Sequence, residues 1–221
     1  GNDLRVEVME GFRKDAFGKE SVQNIAAWDD LEQADFLILI STLGYTQKFI
    51  GDRIIAKMSL PVPYKFARMR GYPAYLVGAS ADADYVVLTH AGRGARVRVD
   101  DLPLRETRLV SVPLKGNMIG AVTGTADDEL IVATASGYAK RVRIGSIPYV
   151  AEMNTNGEKV VQRGNPVCAL GYQPERALYA LTNQRIVAVD ASAIPLLNLD
   201  KTDFALVRTK KGEKLITLFY S

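Results

Sequence analysis

The chain has 221 residues, of which 48% are hydrophobic and 24% are charged. This is the composition of a soluble globular protein with a sizeable core, and it excludes a disordered, collagen-like or coiled-coil chain. No apolar run approaches the roughly 18 residues that span a bilayer, and the first residues lack a signal-peptide pattern, so we expect no membrane partner. Gly1 in place of Met indicates a piece of a longer protein.

The net charge of +3 is unevenly distributed. Residues 1–35 hold four basic and nine acidic side chains, whereas residues 36–221 hold 24 basic and 16 acidic ones. The basic body favours a polyanionic partner. His90 and Cys168 are the single histidine and cysteine, which excludes a Cys/His zinc site and an internal disulfide. We therefore expect no metal and no cofactor, and a buried, inert Cys168 in a reducing compartment.

In chain order, the predicted elements are a strand over residues 4–8, four similar units, and a strand over residues 215–219. The units cover residues 21–71, 72–116, 117–164 and 165–212. Each is predicted to hold about four short strands, because β-branched runs alternate with Gly, Pro, Asp and Asn. Residues 21–31 fit a helical turn or, equally, the strand that opens each later unit. Apolar residues do not repeat at helical spacing elsewhere.

Two landmarks share one period. In the first, Gly44, Gly92, Gly137 and Gln184 are spaced by 48, 45 and 47 residues, and Pro103, Pro148 and Pro195 follow in the last three units where the first has Ile55. In the second, a basic residue precedes glycine at Arg70–Gly71, Lys115–Gly116, Arg163–Gly164 and Lys211–Gly212, spaced by 45, 48 and 48 residues. Four-stranded sheets at this period predict an all-β fold, a β-propeller.

We expect residues 1–221 to form a single domain of four full four-stranded repeats. The strands at 4–8 and 215–219 either close the ring or form a partial fifth blade, and the sequence leaves both options open.

The repeating pattern is similar to that of the C-terminal domain of bacterial type IIA topoisomerase A subunits, the subunits of DNA gyrase and topoisomerase IV. The stretches LIVATASGYAKRV (130–142) and VLTHAGRGARV (87–97) carry the resemblance best, which covers residues 36–219. It implies a β-pinwheel, a propeller variant whose blades exchange strands, and a non-catalytic domain that binds and wraps duplex DNA. The cleavage tyrosine and the ATPase would lie in the rest of the A subunit and in its partner subunit, in the bacterial cytoplasm with the nucleoid.

The resemblance has one departure. The gyrase-type box Gln-Arg-Arg-Gly-Gly-Lys-Gly is missing, and the nearest stretches, at 68–72, 162–165 and 210–213, keep only a basic-Gly centre. The sequence therefore leaves the gyrase and topoisomerase IV types open.

Repeating cations are the candidate DNA-binding residues, because basic side chains that neutralise phosphates give sequence-independent affinity. They fall on the third strand, at the basic-Gly landmark and at the hairpin tip. The set is Lys48, Arg68, Arg70, Arg93, Arg96, Arg98, Lys115, Lys140, Arg141, Arg143, Arg163, Lys210 and Lys211. Two-fold alternation places Arg96 and Arg98 on the strand face opposite Val97 and Val99.

Other patterns point less strongly to function. Asp100–Asp101 and Asp127–Asp128–Glu129 are interpreted as turn residues rather than as catalytic or metal-binding carboxylates. His90 precedes a hairpin turn and is interpreted as a surface residue. The alternative function is a propeller scaffold that binds protein partners and has no role with DNA; an enzyme with a site at the central channel is a third hypothesis.

Overall fold

Within the described residues, four β-hairpins of similar length recur along the chain, and each belongs to a different sheet. The computed structural model describes residues 5–6, 28–60, 64–66, 70–104, 110–111, 116–150 and 156–220. Its strands are β1 (Arg5–Val6), β2 (Phe36–Ser41), β3 (Tyr45–Ile50), β4 (Tyr64–Lys65), β5 (Pro73–Ala79), β6 (Asp84–Thr89), β7 (Arg93–Arg98), β8 (Val110–Ser111), β9 (Met118–Gly124), β10 (Glu129–Thr134), β11 (Tyr138–Arg143), β12 (Glu158–Lys159), β13 (Pro166–Gly171), β14 (Leu178–Thr182), β15 (Ile186–Val189), β16 (Phe204–Ala205) and β17 (Leu215–Tyr220). The helices are α1 (Trp28–Glu32) and α2 (Gly51–Met58), with 3₁₀ turns at Ile144–Ser146 and Ala191–Ala193.

The strands form four larger antiparallel sheets. Sheet 1 has the order β5-β2-β3-β8, sheet 2 the order β9-β6-β7-β12, sheet 3 the order β13-β10-β11-β16, and sheet 4 the order β17-β14-β15. The first strands of these orders, β5, β9, β13 and β17, contact one another in succession, so they form the inner side of the array. The all-β propeller fold predicted from the repeat is confirmed.

Neighbouring sheets exchange a strand. The outermost strand of each of sheets 1 to 3 comes from the stretch of chain that builds the next sheet, with Tyr45 opposite Ser111, Gly94 opposite Glu158, and Tyr138 opposite Ala205. This is the exchange that the β-pinwheel resemblance implies. As a result, each sheet begins one strand later along the chain than the corresponding sequence unit.

Among the described residues, the two terminal strands pair with other strands rather than with each other. Residues 215–220 form the inner strand of sheet 4, where Tyr179 lies opposite Phe219. Arg5 and Val6 pair instead with Lys65 and Tyr64. The apolar pattern at 215–219 was correctly assigned to a strand, but its partner is β14.

Apolar clusters lie between successive sheets and hold them together. Ile38 of sheet 1 packs with Tyr85 and Val87 of sheet 2. Equivalent clusters join Val86 to Leu130 between sheets 2 and 3, and Ile131 to Ala180 between sheets 3 and 4. Each fully buried aliphatic side chain contributes about 1.5 to 3 kcal/mol, so stacking on both faces is the main source of stability.

The other face of sheet 1 is covered by helices, of which the sequence offered only a helical turn over residues 21–31, as one of two options. Ile54 and Met58 of α2 are buried against Leu37 and Phe49 in one cluster. The helix has only eight residues, too few for an apolar repeat to stand out. It replaces the segment where later units have proline. Residues 21–27 of the ambiguous stretch lie outside the described residues, and 28–32 are helical.

The three prolines mark where the chain crosses to the preceding sheet. The residue after each proline forms an isolated parallel bridge with the third strand of that sheet, joining Lys48 to Leu104, Arg96 to Tyr149 and Arg141 to Leu196. The proline landmark therefore guides the strand exchange. None of the helices in the described residues is long and apolar enough to cross a membrane.

Candidate nucleic-acid interface

The central cations of the third strands occupy one register and are not on the surface. Lys48, Arg96 and Arg141 all point from their own sheet towards the next one, because they lie opposite Ile38, Val86 and Ile131. In a stacked array both faces of a sheet are covered, so these side chains become part of the contacts between sheets. Each has a different set of partners.

Lys48 is buried between sheets 1 and 2. Its Nζ donates a hydrogen bond to the carbonyl oxygen of Val99 at 2.8 Å and lies 4.6 Å from the ring centroid of Phe36. Burial lowers the pKa of Lys48 from its ordinary value, an effect that the charges of Asp100 and Asp101 oppose. The ammonium group of Lys48 therefore stabilises the contact between the two sheets.

Arg96 connects sheets 2 and 3. Its guanidinium forms an ion pair with Asp84 at 3.2 Å and lies over the ring of Tyr149, 3.8 Å from the centroid. The Tyr149 hydroxyl donates to Asp84 at 2.7 Å. Because Tyr149 belongs to the crossing segment, this cluster fixes the exchanged chain to sheet 2.

Arg141 has the same role one sheet further on. It pairs with Glu129 at 3.2 Å, donates from Nε to the carbonyl oxygen of Ile194 at 2.7 Å, and lies 4.2 Å from the ring centroid of Tyr172. These groups leave little of the guanidinium for an external ligand.

Lys140 faces the opposite way and is fully buried. Its Nζ donates to the carbonyl oxygens of Leu199 at 3.1 Å and Lys201 at 3.0 Å, and lies 3.7 Å from Asp203. Burial lowers the pKa of Lys140 and raises that of Asp203, while their mutual attraction opposes both shifts. Lys140 therefore holds the segment that leads into β16.

Two of the predicted cations are exposed at the far ends of the third strands. Arg98 ends β7 and Arg143 ends β11. They lie at the edge of the array opposite the hairpin tips. The Arg98 guanidinium also lies 5.3 Å from the ring centroid of Tyr149.

The basic-Gly landmarks lie at the other end of the sheets, beside the hairpin tips. Backbone hydrogen bonds join the two turns of each sheet, such as Thr42 to Tyr72 in sheet 1 and Ala135 to Asn165 in sheet 3. Glycine is required here because φ is positive in every copy: +85° at Gly71, +121° at Gly116, +78° at Gly164 and +79° at Gly212. We call this edge of the array the tip edge.

Exposed cations accompany these turns. Arg70, Arg163, Lys210 and Lys211 are all exposed at the tip edge. Arg70 donates to the Tyr45 hydroxyl at 3.0 Å, and Arg93 is half-buried with a hydrogen bond to the carbonyl oxygen of Gly157 at 2.9 Å. Arg68 and Lys115 lie outside the described residues.

The tip turn of sheet 4 is rich in cations. Glu213 accepts from Arg185 at 2.9 Å, from the Lys210 backbone at 2.8 Å and from Thr182 at 2.9 Å. These hydrogen bonds, led by the one from Arg185, lower the pKa of Glu213 to about 2. Since this carboxylate is satisfied internally, the turn presents a positive surface.

Sequence reasoning missed two exposed cations of this turn, Arg208 and Lys214. Both flank the Lys210–Gly212 landmark. The predicted set kept to the basic residues next to the landmark glycines, and no basic residue recurs at the positions of Arg208 and Lys214 in the other units. A count of charge within each turn finds them.

The carboxylate groups serve turns and ion pairs, which agrees with their interpretation from the sequence. Asp128 accepts hydrogen bonds from the backbone N–H of Thr125 at 2.7 Å and from its hydroxyl at 2.9 Å, and Glu129 is paired with Arg141. The described residues contain no cluster of three or more His, Cys, Asp or Glu side chains placed to hold a metal. Cys168 is buried, as expected, and burial raises the pKa of its thiol to about 11.

Stacked four-stranded sheets that exchange their outer strands, with the same turn geometry repeated along one edge, define a β-pinwheel. A family model described as "DNA gyrase C-terminal domain, beta-propeller" matches residues 83–105 and 128–148, which are the hairpins and proline segments of sheets 2 and 3. A comparison with curated protein sequences finds no match.

Solved structures match over most of the chain. A DNA gyrase A C-terminal domain has a TM-score of 0.68 at 15% identity, covering 86% of this chain and 67% of that one. The C-terminal domain of a DNA topoisomerase IV has a TM-score of 0.71 at 12% identity, with 87% and 63% covered, and the E. coli ParC C-terminal domain has 0.59 at 16%, with 84% and 78% covered. The resemblance found in the repeat is thereby confirmed, in two units by the family model and over the described chain by the fold.

Proposed function

We propose that this chain binds and bends duplex DNA through exposed cations on its edge, as the non-catalytic C-terminal domain of a bacterial type IIA topoisomerase A subunit. One observation carries the proposal. The same basic-Gly turn, with a positive φ in each copy, recurs at the same end of successive sheets.

The turns suit phosphate for two reasons. Arg70, Arg163 and Lys211 place a positive charge next to a glycine, and a turn without a side chain lets a phosphate approach the backbone N–H groups. Such contacts go to the sugar-phosphate backbone and read no sequence. Binding is therefore expected to be sequence-independent and strongly salt-dependent.

The array also supports bending. The inner strands of successive sheets contact one another, and because a propeller arranges its sheets radially, we expect the tip turns to follow a curved edge. Bending a site of 20–30 bp costs about 1 to 6 kcal/mol, so contacts from several sheets must act together. Arg98 and Arg143 are assigned a supporting role on the opposite edge, whereas Lys48, Arg96, Lys140 and Arg141 support the fold.

The rest of the reaction is assigned to other parts of the enzyme. The chain spans 67% and 63% of the gyrase and topoisomerase IV domains that it matches. DNA cleavage and ATP hydrolysis would be carried out by the remainder of the A subunit and by its ATPase partner subunit. We place this assembly with the nucleoid in the bacterial cytoplasm.

The proposal is tested by fluorescence anisotropy with a labelled duplex of about 30 bp between about 50 and 200 mM salt. The Arg163→Glu/Lys211→Glu variant reverses two tip-edge cations and is expected to weaken binding at least about tenfold. The slope of log K against log salt is expected to fall by about 0.9 for each phosphate that the variant no longer neutralises. The matched control is Lys57→Glu/Lys65→Glu, which makes the same change in net charge on α2 and β4.

An absence of binding by the unaltered chain at low salt would refute the proposal. Equal losses in the two double variants would show that net charge alone attracts DNA. Bending is measured separately, by ring closure of DNA fragments near the persistence length of about 150 bp. The chain is expected to accelerate closure, and the tip-edge variant is expected not to.

A further inference from the structure

The tip turns of sheet 1 differ from those of the other three sheets in two side chains. In sheet 1 the residue before the hairpin glycine is Leu43, and the residue after the basic-Gly landmark is Tyr72. In sheets 2 to 4 these two positions hold small or polar residues, which are Ala91 and Asn117, Ser136 and Asn165, and Asn183 and Glu213. One tip of the array is therefore largely apolar where the others are polar.

Leu43 and Tyr72 are both exposed and are held together on the tip edge. Leu43 is 46% exposed and Tyr72 is 60% exposed. The N–H of Thr42 donates to the carbonyl oxygen of Tyr72 at 2.6 Å, and the N–H of Tyr72 donates to the Thr42 hydroxyl at 3.2 Å. These two hydrogen bonds fix the hairpin turn to the basic-Gly turn, so the Leu43–Tyr72 pair is a defined surface feature.

The Leu43 side chain also shields the landmark glycine of its sheet. A Cβ on Gly71 would lie 3.0 Å from the Cγ of Leu43. At Gly116 of sheet 2 the nearest atom to such a Cβ belongs to Thr89, at 3.8 Å, and at Gly212 of sheet 4 nothing lies within 4 Å. The turns of the other sheets are therefore more open to a phosphate, and the turn of sheet 1 is suited to a less polar part of a ligand.

A groove and a cation border the pair. The groove has a volume of about 420 Å³ and lies between the tip turns of sheets 1 and 2, with Leu43 and Tyr72 on one side and His90 and Asn117 on the other. The exposed Arg70 lies beside Gly71 on the same turn. The surroundings thus offer a positive charge for a phosphate and an apolar, partly aromatic surface for a base.

The position of the pair keeps it accessible. Sheets stack on their faces, and the tip residues Ala91 and Ser136 stay exposed although sheets 2 and 3 are flanked on both faces. A further sheet beside sheet 1 would leave its tip exposed for the same reason. Two side chains cover far less than the roughly 800 Å² that each partner buries in a stable protein complex. An apolar wedge of this size does, however, enter and unstack a base step of DNA.

We propose that the Leu43–Tyr72 pair inserts into a base step of the bound duplex, so that sheet 1 is the point at which the DNA is kinked. This proposal rests on the DNA binding proposed above and adds the place where the bend is concentrated. Contacts to phosphate read no sequence, whereas a kink forms most easily at a pyrimidine–purine step. Binding therefore acquires a preference for flexible steps without a hydrogen bond to any base.

Two labelled duplexes of about 30 bp with identical flanks are compared by anisotropy, one with the central sequence TGTGTG and the other with GAGAGA, which has the same base pairs but no pyrimidine–purine step. The unaltered chain is expected to bind the TGTGTG duplex at least about threefold more tightly. Leu43→Ser/Tyr72→Asn gives sheet 1 the tip residues of sheet 3, and is expected to abolish this preference while binding the GAGAGA duplex within about twofold of the unaltered chain. The matched control is Leu104→Ser, which removes a leucine that is 47% exposed in the crossing segment and is expected to keep the preference.

Unstacking is measured directly in a way that does not depend on the variants. 2-Aminopurine replaces one adenine opposite the central TGTGTG sequence, and its fluorescence rises when base stacking is lost. The unaltered chain is expected to raise this fluorescence at least about twofold, and the double variant is expected not to. Circular dichroism checks that the double variant is folded.

The outcomes separate this proposal from the proposed function. Absence of binding to either duplex would refute both. Salt-dependent binding with equal affinity for the two duplexes, a preference that survives in the double variant, or unchanged 2-aminopurine fluorescence would overturn the kink alone. So would a dimer of the unaltered chain, measured by sedimentation, that the double variant no longer forms.

Discussion

Arg96 and Arg98 lie two residues apart on one strand, and both guanidinium groups lie near the ring of Tyr149, but the two side chains differ in burial. Both point towards sheet 3, but Arg96 lies in the middle of β7 and is buried with Asp84 and Tyr149, whereas Arg98 ends the strand and is exposed. Position along the strand, rather than strand face, decides which cation can reach a ligand.

This difference predicts unequal effects on stability. Arg96→Met is expected to reduce the free energy of unfolding by about 3 kcal/mol, because it leaves Asp84 buried without its counter-charge. Arg98→Met is expected to change it by less than about 0.5 kcal/mol. Urea unfolding followed by circular dichroism measures both, and equal effects would contradict the assignment of Arg96 to the fold.

The same residues show how far the sequence could predict the site. Alternation correctly placed Arg96 opposite Val97, but it could not show that the polar face meets another sheet instead of water. Lys140 was missed as a buried residue for a related reason, since its partners at Leu199, Lys201 and Asp203 lie about 60 residues away in the chain. By contrast Arg163 and Lys211 sit in turns, where local sequence decides exposure.

At the scale of the element, the turns were more predictable than the helices. A glycine that recurs with one period signals a positive φ, and Gly44, Gly92 and Gly137 all have it. Helix α2 has no comparable signal in the sequence, because its position is fixed by a contact with a distant part of the chain. A Cβ on its first residue, Gly51, would lie 2.0 Å from the carbonyl oxygen of Ala34. That contact is invisible in a single sequence.

Two glycines with nearly the same φ allow the cost of a strained backbone to be measured apart from the cost of a steric clash. Gly137 and Gly212 have φ of +82° and +79°, but a Cβ on Gly137 would lie 2.3 Å from the Val207 carbonyl oxygen, whereas one on Gly212 meets nothing within 4 Å. Gly212→Ala is expected to cost about 1 kcal/mol from its backbone conformation. Gly137→Ala is expected to cost at least about 2 kcal/mol more, because the chain entering the tip turn must move.

Thermal and urea unfolding of the two variants measure these costs. The unaltered chain gives the reference, and the unfolding slope shows whether each variant still unfolds in one step. Equal losses would mean that the Val207 contact is absent in solution.

At the scale of the whole molecule, stability is expected to decline along the array. Sheets 1 to 3 have a strand or bridge on the far side of the third strand, and sheet 4 has an open edge in the described residues. Regions with fewer hydrogen bonds and fewer covered apolar side chains open more readily. Sheet 4 is thus expected to be the first to open.

Native-state hydrogen exchange tests this gradient. The amides of Ile186 and Ala188 are expected to exchange at least about tenfold faster than the amide of Arg141, which is bonded to Pro195. Uniform protection of β7, β11 and β15 would contradict it.

Strand exchange also determines the order in which the sheets can be completed while the chain is being synthesised on the ribosome. The hairpin of sheet 2 is complete once Arg98 has been made, but Gly94 must wait for Glu158 before its edge is filled. At synthesis rates of about 5 to 20 residues per second the wait lasts roughly 3 to 13 s. Each newly synthesised sheet therefore lacks its outer strand for several seconds. During that time the edge of its third strand is open to pairing, and as translation proceeds the open edge moves from one sheet to the next.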